Sequence, residues 1–143
     1  MPLVSKTLSN IKSIKHGFLS PEENPPENFI RAHQVHDKTV IAVSSDNVSQ
    51  FPSTQADGLI TAEHRAVAVQ TADCLPVLYS SDDGLLVAAI HAGWRGLHKG
   101  ILVEAVRQFN SRGYSADKLR IAIGPAIGPC CFEVNQEVQN ELS

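Results

Sequence analysis

No apolar run in this chain approaches the length needed to cross a bilayer, and the opening stretch MPLVSKTLSNIKSIKHGF lacks the continuous apolar core of a secretory signal. A cytoplasmic protein with no membrane partner is the expectation. Cysteine is scarce and odd in number, with thiols only at 74, 130 and 131. Adjacent residues such as Cys130 and Cys131 cannot easily close an ordinary disulfide, which argues against a secreted disulfide framework and for reduced thiols. Blocks of one charge are missing too. The 12 basic and 15 acidic residues are scattered and leave a formal net charge of −3, so neither a nucleic-acid footprint nor a polybasic patch is visible. Internal repeats are absent. What is present is 43% hydrophobic content over 143 residues, enough for one compact domain with a core and too little for two. A small molecule is the default partner, and a homo-oligomer remains open.

The pattern along the chain predicts a mixed α/β domain. SPEENPPEN, from Ser20 to Asn28, reads as a solvated loop, because proline blocks helix and ladder while its neighbours offer little to bury. Runs of strand length follow: TVIAV (39–43), GLIT (58–61), AVAVQ (66–70), LPVLYS (75–80) and LLVAAIH (85–91), separated by turn clusters such as SDDG. Leu102, Ala105, Val106 and Phe109 recur at helical spacing before Gly113, predicting one amphipathic helix over 96–112. LRIAIG returns as a strand. NQEVQNELS begins as a helix with Asn135 as its candidate cap and Val138 and Leu142 on one face.

Three residues stand at or beside the ends of these predicted strands: His36 in HQVH, Cys74 in TADCLP and His91 in IHAGWRG. Strand ends aim side chains into a shared cleft, but separations this long match no local zinc signature. Taken singly, each has an ordinary fate as a satisfied imidazole or a buried thiol. HAGWRGLHKG adds a strand, a glycine turn and a helix start, where free backbone N–H groups and the planar fork of Arg95 suit an anion. It is not a Walker loop, and glycine before a helix also has a purely steric explanation. The Gly-Pro units of IGPAIGPCCFEV read first as turns.

HGF (16–18), QVH (34–36), ADGLIT (56–61), TADCLPVL (71–78), AAIHAGWRGL (88–97) and GPAIGPCCFEV (124–134) occur together in this order. In that set the chain resembles the YfiH-type family, known both as multicopper polyphenol oxidase (laccase domain) and as purine nucleoside phosphorylase. The resemblance covers nearly the whole chain and is carried most specifically by TADCLP and HAGWRG. It implies a mixed-sheet α/β sandwich (α+β) as a single domain over 1–143, with a catalytic zinc whose three ligands map to His36, Cys74 and His91. Three ligands leave a fourth position open, as a catalytic zinc requires. The implied activity is phosphorolysis of adenosine, inosine, guanosine and methylthioadenosine, with adenosine deamination beside it. Purine nucleosides and phosphate are the implied partners. Family members usually continue well beyond this length, so the domain is expected to be C-terminally incomplete relative to them.

Within that reading Asp73 is the candidate proton shuttle, or else an acceptor that orients a histidine or caps a turn. Arg95 is the candidate phosphate ligand. Gln34 is the candidate for ribose or base, carried with His36 on one strand, although bonding to backbone is the commoner fate of a buried glutamine. Two departures from the family pattern are Asp37, where glycine usually follows QVH, and the extra imidazole of His98. Two rival chemistries use the same residues. Copper-dependent polyphenol oxidation finds one His₂Cys set here, but His16, His33, His64 and His98 are few for a further copper cluster and Met1 is a poor axial ligand. A cysteine hydrolase would have His91 deprotonate Cys74.

Overall fold

The computed structural model describes residues 2–128, 130 and 136–142. Among them five strands form one mixed sheet: β1 (Val40–Ala42), β2 (Gly58–Thr61), β3 (Leu75–Ser81), β4 (Val87–Ala92) and β5 (Leu119–Ile123), in the spatial order β1-β2-β4-β3-β5. β1 runs parallel to β2, and every other pairing is antiparallel. The turn cluster SDDG closes the β3–β4 hairpin. Gly84 takes a left-handed φ of 74°, and Asp83 accepts from the Leu85 N–H, the Ser81 hydroxyl and the Tyr114 hydroxyl. Turn chemistry of this kind sets the register of the hairpin it closes.

Side chains alternate between the two faces of a strand, and the two hydrophobic clusters obey that alternation. Val40, Ile60, Val77, Tyr79, Ala88 and Ile90 point to one face and pack under Ile101, Ala105 and Phe109 of helix α3 (Ile101–Ser111). Leu59 points to the other face and packs with Ile30, Ala32, Val43 and Ala56 from the loops. Helix α1 (Lys6–Ser9) starts at Ser5, whose hydroxyl accepts from the Leu8 N–H. Helix α4 spans Gln136–Leu142. Its expected cap, Asn135, lies outside the described residues, as do Cys131 and Met1.

Two expectations are corrected. The helix predicted over 96–112 is two helices, α2 (Trp94–Lys99) and α3, because Gly100 adopts φ 93° and its N–H closes back onto the Gly96 and Leu97 carbonyls. AVAVQ is not a strand. It makes a single parallel bridge, Val67 to Ile30, with Ala68 N–H donating to the Ile30 carbonyl. Two residues further on, the Gln34 side chain takes the place of a strand partner, donating from Nε2 to the Gln70 carbonyl at 2.7 Å and accepting the Gln70 N–H at 2.8 Å. The remaining predicted strands form within one or two residues of their expected limits.

Candidate metal centre

Antiparallel pairing places the start of β3 and the end of β4 side by side, with Leu75 opposite Ala92 and Pro76 opposite His91. Cys74 stands one step before β3 and His91 one step before the end of β4, so the sheet brings thiol and imidazole together. Both have the parity of the face opposite α3. β2 lies on the other side of β4, and Asp57, just ahead of β2, accepts the His91 N–H on its backbone carbonyl at 2.7 Å. His36 arrives differently from expectation. It is borne by the loop before β1, together with Gln34, and takes a left-handed φ of 60°. That conformation is uncommon for a residue with a Cβ, although histidine tolerates it better than most.

The ligand atoms of His36, Cys74 and His91 all lie within 4.8 Å of one another, with His91 buried, Cys74 partly buried and His36 exposed. The two imidazoles meet edge to face at 81°, their centroids 4.8 Å apart. Beneath them Gly93 leaves open a space that a Cβ would fill, 3.2 Å from both the Cys74 Sγ and the His36 Cδ2. Two imidazoles and a thiol around such a cradle suit zinc or copper and not a hard cation such as magnesium. One Asp57 side-chain oxygen lies 2.6 Å from His91 Nδ1, which leaves Nε2 of that ring for a ligand.

Asp57 is the residue that sequence reasoning missed. It is fully buried, and its carboxylate also accepts the N–H groups of Val35, His36 and Asp37 at 3.1, 2.9 and 3.0 Å. Burial raises its pKa, but the hydrogen bonds from Asp37, His91, Val35 and His36 outweigh that and hold the carboxyl below its ordinary range. The available signal was ADGLIT, an acid directly before a wholly apolar strand, which passes equally well for a turn residue. The Cys74 thiol is pushed up, first by burial and then by the charges of Asp73 and Asp57. A nucleophilic cysteine needs the opposite shift.

Asp73 is exposed beside Cys74, and its backbone carbonyl accepts the Ile127 N–H from the Gly-Pro segment. Arg95 is exposed at the second position of α2, with its guanidinium carbon 4.4 Å from the centre of the Trp94 ring. Gln34 is committed to the Gln70 backbone. The turn at Asp37 forms without glycine: its carboxylate accepts the Lys38 N–H and pairs with Lys99 Nζ at 3.4 Å. His98 is exposed on α2 and stands outside the cluster. No helix among the described residues is long and apolar enough to cross a membrane.

Residues 9–143 match the family described as multi-copper polyphenol oxidoreductase laccase. The chain is 41% identical over 117 residues to "Purine nucleoside phosphorylase YfiH" of Shigella flexneri, a match covering 81% of this chain and 46% of that protein. It is 36% identical over 126 residues to "Purine nucleoside phosphorylase YlmD" of Geobacillus stearothermophilus, covering 82% and 46%. The crystal structure of YlmD from Geobacillus stearothermophilus is similar with a TM-score of 0.71 at 33% identity, over 81% of this chain and 46% of that one. A hypothetical protein YfiH from Bacillus licheniformis gives 0.73 at 31%, over 80% and 46%. The chain thus spans about half the length of these relatives. A matched family, a shared mixed sheet and a His-Cys-His cluster at its end agree: the chain belongs to the multi-copper polyphenol oxidoreductase laccase family, with the YfiH and YlmD proteins among its relatives.

Proposed function

We propose that this protein serves zinc-dependent phosphorolysis of purine nucleosides, namely adenosine, inosine, guanosine and methylthioadenosine, with adenosine deamination as a companion activity. The observation that carries the reading is the convergence of His36, Cys74 and His91 at one end of the sheet. The names of the YfiH and YlmD relatives supply the substrate class. His36, Cys74 and His91 would hold the ion, and zinc bound there supplies a Lewis acid with one position open to substrate or water. Asp73 is exposed beside the thiol and would give or take a proton at a carboxylate oxygen. Arg95, stacked on Trp94, would pair with phosphate through its planar fork. Gln34 serves the site indirectly, since both ends of its amide brace the segment that leads to Cys74.

Copper fits the same donor set, which keeps polyphenol oxidation as the second reading. The cysteine hydrolase is the less supported rival, because burial and two acidic neighbours push the Cys74 thiol up. Three parallel assays on one preparation separate the readings. Metal-quantified protein is incubated with adenosine, with and without phosphate, and the products are identified by chromatography. Adenine and ribose-1-phosphate formed only with phosphate, and lost on chelation, are expected; inosine reports the deamination. No turnover of adenosine at full zinc occupancy sinks the phosphorylase reading. Oxidation of a phenol by the copper form would support the second, and metal-free activity abolished by thiol alkylation would support the hydrolase.

A further inference from the structure

We propose that Asp57 is the positioning residue of the metal centre, one carboxylate that presets both imidazoles before any ion arrives. The inference rests on the metal reading of His36, Cys74 and His91 given above. Its basis is a count of hydrogen bonds at a fully buried side chain. Oδ1 receives the N–H groups of Val35 and Asp37, and Oδ2 receives the N–H of His36. Three peptide donors converging on one carboxyl group favour its anionic form, which can only accept. The fourth contact, 2.6 Å from Oδ2 to His91 Nδ1, is then an N–H donated by the ring. His91 is thereby held as the tautomer whose Nε2 carries a lone pair, the nitrogen a metal needs.

The same three peptide bonds clamp the loop on which His36 sits at φ 60°. A single-residue excursion of this kind is unfavourable for a residue with a Cβ and persists where its surroundings over-determine it. Asp57 therefore does two jobs at once: it orients the His91 ring from the side-chain end and fixes the His36 backbone from the main-chain end. The sheet keeps the clamp in register, since the Asp57 carbonyl also accepts the His91 N–H.

Asp57→Asn tests this with little change in size. An amide whose oxygen takes the Oδ1 position keeps the Val35 and Asp37 donors but places an NH₂ group where Oδ2 stood, so the His36 N–H loses its acceptor and His91 Nδ1 meets a donor. The ring must then accept there and carry its proton on Nε2. In metal-free, ¹⁵N-labelled protein in mildly alkaline solution, imidazole NMR is expected to find the His91 proton on Nδ1 in the wild type and on Nε2 in the variant. Titration with Co²⁺, followed by the thiolate-to-cobalt charge-transfer band, is expected to give an affinity about 10- to 100-fold weaker in the variant. Should Asp57→Asn fail to fold, the wild-type spectrum decides alone: a proton on Nδ1 supports the inference and one on Nε2 overturns it. Unchanged tautomer and affinity in a folded variant overturn the inference while leaving the metal reading standing. Absence of the charge-transfer band in the wild type overturns the metal reading itself, and the inference with it.

Discussion

A methyl group added at Gly93 would lie 3.2 Å from both the Cys74 Sγ and the His36 Cδ2, tighter than ordinary van der Waals contact. The backbone there has φ −77° and ψ 173°, which any residue adopts, so the cost of Gly93→Ala falls on the ligands and not on the chain. We expect Co²⁺ or Zn²⁺ affinity to drop by roughly 10-fold or more while the urea midpoint of the metal-free protein barely moves. A midpoint that falls as steeply as the affinity would mean that Gly93 serves packing. The grouping of His36, Cys74 and His91 came from the family resemblance, carried most specifically by TADCLP and HAGWRG, and not from their spacing. Their separation is what hid the geometry, since only the pairing of β3 with β4 makes neighbours of Cys74 and His91. Asp57 stayed hidden because an acid before a strand is ordinary until its four donors are seen, and three of those belong to the backbone of a distant loop.

Elements were legible where hydrophobic periodicity decided them and lost where one residue's backbone or one side chain intervened. β2, β3, β4 and β5 follow their apolar runs closely, and α3 buries Ala105 and Phe109 as expected, with Ile101 joining them and Leu102 and Val106 only partly buried. The break between α2 and α3 depends on Gly100 alone, in a left-handed conformation with nothing within 4 Å of where a Cβ would stand. Gly100→Ala therefore has a conformational cost and no steric one, and should destabilise the fold by about 1 kcal/mol in urea unfolding. If it stabilises instead, the two helices can join into one. The β3–β4 hairpin carries a pH dependence of its own. Hydrogen bonds from the Ser81 hydroxyl, the Leu85 N–H and the Tyr114 hydroxyl hold the Asp83 carboxyl below its ordinary range. A depressed folded pKa means stability that is fully present above the unfolded value of about 3.9 and is lost as the pH falls through the folded one. In unfolding series at descending pH, Asp83→Asn should lose stability less steeply below about pH 4 than the wild type does. Parallel curves would remove Asp83 from the account of acid sensitivity.

At the scale of the molecule, the site joins parts that are far apart in sequence: the loop before β1, the residue ahead of β2, the start of β3 and the end of β4. The fold class was legible from strand-length runs and one amphipathic helix, but the order β1-β2-β4-β3-β5 was not, because pairing choice is a property of the assembled sheet and not of any one run. That order has an energetic consequence. An ion held by His36, Cys74 and His91 ties together segments that the unfolded chain keeps apart, so it binds the native state in preference to the unfolded one. Ligand at 100 times its dissociation constant then adds about 2.7 kcal/mol of stability. Thermal unfolding of the full chain is expected to shift upward with added Zn²⁺ and to return on chelation. Cys74→Ala should retain the metal-free melting temperature approximately and lose most of the zinc-dependent increment, because Cys74 is the only sulfur donor of the cluster among the described residues. An increment of equal size in Cys74→Ala would place the stabilising ion elsewhere on the protein. An increment lost in Cys74→Ala but retained in His98→Ala would confine it to the end of the sheet where β3 begins and β4 finishes.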